Sequence, residues 1–420
     1  MQKYKSILDI AHNFDVFMFD LFGVLWDGDN LYKDTAWIML QLKKQNKKII
    51  LLSNSTMAGE DLEKSYEKRG LCKSSHYDSF VSSGDIAKSV LGERAAQKFY
   101  TVGVHNEKLF EGTHHQKIDC IKDADFIYIG IVEKGGERFS PDNLGAFTEE
   151  LEEAKLHKKP MFCANPDYSA IGDGGVLYAC QGSIAKAYED MGGVVEWCGK
   201  PDVASFEYAL KQLPDCDKNR ICMVGDTLRT DIKGANDYGI ASVLTEKTGI
   251  TALFSEKMHI TTGDFIQNEK ITPDIIIDKV GLEFDLHPNL MKKDFIVNLP
   301  LCMVMLEDNS YYPWIFLIPR KNNAINILDL SEQEFYDYNK ERRMCSEAMA
   351  EIYKSGMLNT ADIALVTPQM HHHIVIRDKD DPAYPNVVWG QAFNRSYTPE
   401  EKLMTIQKIR DAIIAKQNGK

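Results

Sequence analysis

The sequence lacks any apolar run long enough to span a bilayer. The longest, such as Phe14–Phe19 and Tyr311–Pro319, fall far short of the roughly 20 residues a membrane helix needs. Nothing in it reads as a secretory leader, so no membrane partner is expected. The nine cysteines form no C-x-x-C pair. An odd, scattered set points to reduced thiols filling cores in a cytoplasmic protein rather than to a disulfide framework. Positive charge is also scarce. Lys and Arg number 49 against 62 Asp and Glu, a net of −13. A nucleic-acid coat is thereby excluded, since phosphate backbones need a basic face. A local basic pocket for a small phosphate ligand stays open. There is no internal repeat and no low-complexity tract. With 44% hydrophobic and 26% charged residues, 28 Gly and 14 Pro, the chain is not disordered, collagen-like or coiled-coil.

What is present is length. The 420 residues exceed one hydrophobic core and imply two or three domains. Charge divides unevenly between them. From Lys292 to Lys420 there are 16 Lys and Arg against 17 Asp and Glu; the rest carries 33 against 45. The last third therefore reads as a separate unit.

The pattern along the chain supports this. The opening, Tyr4–His12, reads as a helix feeding a buried strand, Phe14–Asp20. A helix at Thr35–Gln45 and a strand at Lys48–Ser53 follow. Strands apolar on both faces, alternating with helices, predict a parallel sheet. The pattern returns at Arg220–Gly225, Asp231–Tyr238 and Ala241–Leu244, and closes with a strand near Thr272–Val280. Between the halves, Phe99 to about Asp190 has its own strands and helices and reads as an inserted cap. After His287, the runs Phe295–Met305 and Tyr312–Pro319 read as two antiparallel strands. A helix at Glu332–Ser355, a strand at Gln369–Arg377 and a C-terminal helix from about Pro399 complete the chain.

Five polar residues in four motifs sit at strand ends or loops of the first unit. They are Asp20 in FDLFGV, Ser53 in LLSN, Lys200 in CGKP, and Asp226 with Asp231 in GDTLRTD. Alone, each is an ordinary cap or turn residue. Together they suit phosphoryl transfer. A carboxylate attacks phosphorus, a hydroxyl and an ammonium hold the phosphoryl oxygens, and further carboxylates bind a hard cation.

These motifs, in this order, with SSGD at Ser82–Asp85, CANPD at Cys163–Asp167 and GSIA at Gly182–Ala185, resemble the haloacid dehalogenase (HAD) superfamily, class IIA. The resemblance covers about 285 residues. It implies a Rossmann-like α/β core with an inserted α/β class II cap. By position, Asp20 is implied as nucleophile and Mg²⁺ ligand. The carbonyl of Phe22 and the carboxylates of Asp226 and Asp231 are implied as further metal ligands. Ser53 and Lys200 are implied to bind the phosphoryl group, with Asn54 beside Ser53 at the substrate. One position departs. Where the family's phosphatases carry a general-acid Asp, this chain has Phe22, and a phenyl ring donates no proton. Three explanations stay open: a good leaving group or another acid, carbon–halogen chemistry, or binding without turnover.

The second constellation is Gln369-Met370-His371-His372-His373. In a strand, Gln369, His371 and His373 share one face and His372 points away. That arrangement suits an imidazole nucleophile, a zinc site or a structural cluster. The wider stretches YYPWIFLIPR at Tyr311–Arg320 and PQMHHHIVIRDKDDPAYPNVVWG at Pro368–Gly390 resemble the histidine-triad (HIT) superfamily, in its Gln-x-His-x-His form. The resemblance implies an α+β domain with an antiparallel sheet. His371 would be its nucleophile, with Gln369 and His373 at the phosphate. Asn359 is implied as a polar phosphate-side residue, and Trp389 near the entrance. Ala364 and His372 depart from the family pattern.

The expectation is thus a HAD core over 1–88 and 195–286, a cap over 89–194 and a HIT domain over 292–420. It is a bifunctional hydrolase with Mg²⁺, acting on a small phosphorylated or nucleotide substrate. The HIT domain allows a homodimer. The alternative is a phospholigand-binding protein of reduced activity.

Overall fold

A strand apolar on both faces must be covered on both faces, and the sequence has several. Val16–Phe19 is wholly buried, as is Ile221–Gly225. In the computed structural model, which describes residues 2–172, 176–211, 213, 216–354 and 357–419, these two strands pair in parallel at the centre of a seven-stranded sheet. Its order is Gln2–Ser6, Ile275–Lys279, Ala241–Thr245, Ile221–Gly225, Val16–Phe19, Lys48–Ser53, Ser79–Ser82. All the pairings from Ile275–Lys279 to Ser79–Ser82 are parallel. The chain winds away from the two central strands in opposite directions. Their carboxyl ends therefore open a crevice, where open α/β sheets hold ligands.

An inserted layer lies between the two halves of this sheet in sequence. Its five strands run Val195–Trp197, Met161–Cys163, Phe126–Ile129, Lys98–Val102, Gln116–Lys117, again in parallel. Its own core includes Ile127, Ile129, Phe147, Leu151 and Tyr188. A hairpin, Ser169–Ile171 with Leu177–Ala179, stands beside it.

The described chain divides into two compact units. The first gathers residues through Tyr4, Phe14–Ala36 and Lys48–Val280; the second gathers Lys5–Asn13, Trp37–Lys47 and the chain from Gly281. The second unit is built on an antiparallel sheet ordered Asp294–Asn298, Cys302–Leu306, Trp314–Pro319, His372–Ile376, Leu358–Asp362. Helices Glu332–Tyr353 and Pro399–Gln417 pack on it through Tyr338, Cys345, Met349, Ile406, Ile409 and Ile413. Strand Asp294–Asn298 lies at the sheet's edge, where unpaired backbone is a liability. Gln41 and Gln45, in the Trp37–Lys47 segment of this unit, meet that edge. The Phe295 N–H donates to Gln41 Oε1 and the Gln45 amide donates to the Phe295 carbonyl, both at 2.8 Å.

Three expectations are corrected, and one further strand was not expected. The opening is not a helix: Gln2–Ser6 is an edge strand, followed by two 3₁₀ turns. Ser6 and Asp9 cap the first of these reciprocally. Phe295–Met305 is not one strand, because Leu299-Pro300-Leu301 turns it into a hairpin. The strand expected over Gln369–Arg377 starts only at His372, since Gln369 and Met370 lead into it as loop. Leu358–Asp362, half-exposed and weakly apolar, is a strand that periodicity did not reveal.

Candidate functional site

The end of each central strand delivers one carboxylate. Asp20 follows Phe19, and its N–H is held by the Val224 carbonyl at 2.9 Å. Asp226 follows Gly225. Asp231 lies in the π-helical turn Leu228–Ile232 and accepts the Thr227 N–H at 3.1 Å. One oxygen from each of Asp20, Asp226 and Asp231 comes within 4.8 Å of the others. Lys200, 2% exposed, reaches into the group. Its ammonium donates to Asp20 Oδ1, to Asp231 Oδ1 at 2.7 Å and to the Leu52 carbonyl at 2.9 Å.

Ser53 ends its strand, where its Oγ accepts the Ser55 N–H at 3.1 Å. Asn54 is buried and saturated. Its Oδ1 accepts the Lys200 N–H at 2.8 Å and the Ser83 hydroxyl at 3.1 Å. Its amide nitrogen donates to Asp167 Oδ1 at 2.9 Å and to the Lys200 carbonyl at 3.1 Å. An amide offers two donors and two acceptor lone pairs, so none is left for a ligand. Asn54 thus ties Lys200, Ser83 and Asp167 together rather than facing a substrate.

Two glycines make room for this packing. Gly23 has φ +80° and Gly249 φ +74°, and a Cβ on either would fall within 2.2 Å of Asp226 Oδ2. Only glycine allows that approach and that backbone conformation. Asp226 is then held by the Ile250 N–H at 2.6 Å and the Thr227 hydroxyl at 3.1 Å.

So many converging carboxylates resist ionisation. Burial pushes Asp20 up to about 7, against the pull of Lys200 and with the push of Asp231. Burial, then the neighbouring Asp20 and Asp231, raises Asp226 well above the carboxylate range. Burial also raises Asp167 to about 6, against Lys200 and the Asn54 hydrogen bond. For Lys200 burial opposes the charge, but Asp20, Asp231 and Asp167 outweigh it and hold the ammonium above its ordinary value. Buried oxygens crowded in this way suit a hard divalent cation, which takes carboxylate oxygen and offsets their repulsion.

Phe22 is half-buried. Its ring meets Trp26 edge-on, with centroids 6.1 Å apart. It offers no proton to the group. A cleft of about 1340 Å³ opens on the same unit, lined by Asp167, Tyr168, Thr227, Arg229, Phe254 and Met258 among others.

The second unit carries a smaller cavity of about 390 Å³, lined by His371, His373, Trp314, Phe316, Trp389 and Lys293 among others. His371 Nδ1 lies 2.7 Å from the Gln369 carbonyl. A carbonyl only accepts, so Nδ1 carries the proton and Nε2 keeps its lone pair. Burial lowers the His371 pKa, which keeps that lone pair free. His372 points to the other face. Its Nδ1 is 3.1 Å from Asp362 Oδ1, which also accepts the Tyr338 hydroxyl at 2.7 Å.

Two residues expected at the phosphate are engaged elsewhere. The Gln369 side chain accepts the His287 N–H at 2.7 Å and donates to the Asp285 carbonyl at 2.9 Å. Only its main chain meets His371. Asn359 accepts from Arg377, which is itself bound to both oxygens of Asp381 at 2.7 and 3.0 Å. Neither side chain lines the cavity. The sequence reading, in turn, assigned no role to Asp167, Ser83 or Trp314. Asp167 and Ser83 lie inside the CANPD and SSGD stretches, and Trp314 inside YYPWIFLIPR, so the signal was there.

Family models match three stretches. One described as haloacid dehalogenase-like hydrolase covers residues 17–111, a HAD-hydrolase-like model covers 197–281, and a HIT domain model covers 290–380. The first part of the chain is thus haloacid dehalogenase-like in two stretches, and the last part carries a HIT domain. Among curated proteins, a 4-nitrophenylphosphatase of Schizosaccharomyces pombe is 26% identical over 279 residues, covering 60% of this chain and 88% of the yeast protein. A NipSnap protein of Caenorhabditis elegans is 28% identical over 255 residues, 55% of this chain. The chain spans about half, 48%, of that nematode relative's length. A haloacid dehalogenase-like hydrolase from Brucella suis shares the fold of the first part, with a TM-score of 0.56 at 23% identity over 66% of this chain and 99% of its own. Among the described residues, no helix of the HAD-like part or the HIT domain is long and apolar enough to cross a membrane.

Proposed function

We propose that the chain is a two-site hydrolase of phosphoester-type bonds, with a Mg²⁺-dependent phosphohydrolase in the HAD-like part and a nucleotidyl hydrolase in the HIT domain. The observation that carries it is the meeting of the Asp20, Asp226 and Asp231 carboxylates, with Asp20 and Asp231 paired to the Lys200 ammonium. In this reading Asp20 attacks phosphorus, the P–O bond to the alcohol breaks, and water later cleaves the aspartyl phosphate to release inorganic phosphate. Ser53 and Lys200 hold the phosphoryl oxygens. Asn54 fixes Lys200 in place. Asp20, Asp226, Asp231 and the Phe22 carbonyl would hold Mg²⁺. When bound, Mg²⁺ supplies positive charge that offsets the carboxylates and the phosphoryl oxygens. The name of the yeast relative supports a phosphomonoester as substrate.

In the HIT domain, the His371 Nε2 lone pair attacks the α-phosphorus of a nucleoside phosphoramidate or related conjugate. The bond to the leaving group breaks, and water then releases the nucleoside monophosphate. Cytoplasmic residence is part of the same proposal. The test is a panel of phosphomonoesters and nucleoside phosphoramidates offered to the full chain. Excess chelator is expected to abolish phosphomonoester turnover and spare phosphoramidate turnover. Equal loss of both, or of neither, would count against two independent sites.

Phe22 supports a second reading, in which the HAD-like part binds a phosphoester without turnover; the panel would then show binding alone. Retention of Asp226 and Asp231 weighs against carbon–halogen chemistry, which needs no such carboxylates. If turnover occurs, the missing acid must come from elsewhere, and Asp167 is a buried carboxyl raised to about 6. We expect Asp167→Asn to slow alkyl phosphates by about 10²–10⁴-fold, the usual worth of a general acid. 4-Nitrophenyl phosphate, whose leaving group needs no proton, is expected to lose far less. The acid form exists below about pH 6, so wild-type rates on alkyl phosphates should fall as pH rises through that value. Equal losses on both substrates would remove Asp167 from this role.

A further inference from the structure

Adjacent imidazoles in one cavity raise the question of what keeps them from exchanging roles. His371 and His373 have ring centroids 4.9 Å apart, both line the HIT cavity, and both are more than nine-tenths buried. Their hydrogen bonds differ in kind. His371 Nδ1 faces a carbonyl and must be protonated. His373 Nδ1 faces two indoles instead: Trp314 Nε1 at 3.1 Å and Trp389 Nε1 at 3.3 Å. An indole N–H donates and never accepts. His373 Nδ1 is therefore the acceptor, shared by two donors, and the ring's proton belongs on Nε2. That Nε2 is buried and has no hydrogen-bond partner among the described residues. A buried donor left unpaired costs about 1–3 kcal/mol, so a ligand acceptor is the natural complement.

We propose that Trp314 and Trp389 are positioning residues that clamp His373 as its Nε2–H tautomer, making it a fixed hydrogen-bond donor to a phosphoryl oxygen and leaving His371 as the nucleophile. The donation moves no proton and breaks no bond; His373 stays neutral throughout. The proposal rests on the reading of this cavity as a nucleotidyl site. The groups around His373 are His371 just before its strand, His372 on it, Asp362 on the neighbouring strand and Lys293 ahead of the edge strand. Burial, then the two histidines, pushes its pKa down to about 3. Asp362 opposes this and Lys293 adds to it. Removing both indole donors would free Nδ1 to exchange tautomers with Nε2.

The experiment is long-range ¹H–¹⁵N correlation of the histidine rings in the ¹⁵N-labelled full chain from pH 5 to 8, with His373 assigned by its loss in His373→Gln. The expected wild-type result is an Nε2–H pattern that does not titrate. In Trp314→Phe/Trp389→Phe the same ring should show mixed tautomers. An Nδ1–H pattern or a titrating His373 in the wild type overturns the proposal, even if the double variant fails to fold. So does an unchanged pattern in a folded double variant. Adenosine monophosphate is the ligand probe, and it should shift the wild-type Nε2–H signal; no shift at saturation removes the donor role. With adenosine phosphoramidate, the Trp variants should lose about 10–100-fold in kcat/KM, the range of one charge-assisted hydrogen bond. Absence of wild-type turnover with the tautomer pattern intact would instead count against the nucleotidyl reading.

Discussion

Asp20→Asn is expected to lower kcat for 4-nitrophenyl phosphate by on the order of 10⁴-fold or more, with the protein still folded. The amide matches the carboxylate in size but has no anionic oxygen to attack phosphorus. Its effect on the fold should be small, because Lys200 keeps Asp231 and the Leu52 carbonyl. The pH dependence of stability adds a second readout. Burial, partly opposed by Lys200, lifts the folded-state pKa of Asp20 from an ordinary 3.8 to about 7. Between those values the folded protein binds a proton that the unfolded chain does not. Stability without Mg²⁺ therefore falls as pH rises through this window, and Asn removes that contribution. At pH 7.5 and without metal, the variant should melt no lower than the wild type. Steady-state kinetics and thermal melts check both outcomes. Retained turnover would remove Asp20 as nucleophile, and a collapsed melting point would leave a structural role instead. Lys200→Met is a poorer probe, since it strands the buried carboxylates of Asp20 and Asp231 without their ammonium.

The parallel core was legible because VFMF and ICMVG can sit nowhere but between two covering layers, and each ends at an acid. The opening segment was not, because YKSILDIAH carries spacing compatible with a helix. What decides it is local: Ser6 and Asp9 cap a short 3₁₀ turn, and the residues before them pair along a sheet edge. The first candidate site was legible in its members but not in its ties. Asn54 reads as a polar loop residue beside Ser53. Only the fold brings it against Lys200, Ser83 and Asp167, which are 146, 29 and 113 positions away in sequence. In the HIT domain, strand alternation correctly separated His372 from His371 and His373. It failed for Gln369, which precedes the strand and turns its amide to the backbone of Asp285 and His287.

That separation gives the second large effect. His371→Ala is expected to reduce adenosine phosphoramidate hydrolysis by on the order of 10⁴-fold or more and to leave 4-nitrophenyl phosphate kinetics unchanged. The ring it removes is the one whose Nε2 lone pair is exposed by the Nδ1–H bond to the Gln369 carbonyl. His373 is unable to substitute, because its Nδ1 is occupied by two indole donors and its Nε2 carries the proton. His372 is unable to as well, since it faces Asp362 on the other side of the sheet. Three consecutive imidazoles thus reduce to one nucleophile, and the losses should rank accordingly. His373→Gln keeps an N–H donor and should lose about 10–100-fold, the scale of a displaced charge-assisted hydrogen bond rather than of a missing nucleophile. His372→Leu, which restores an apolar residue between the site histidines, should leave turnover nearly intact. Equal losses in all three variants, measured on folded protein, would mean that the cluster acts through stability. Free imidazole added to His371→Ala offers a direct check, because it can occupy the vacated space and supply the same lone pair. Partial recovery with imidazole, and none with a similarly sized molecule lacking a basic nitrogen, would assign the chemistry to that nitrogen.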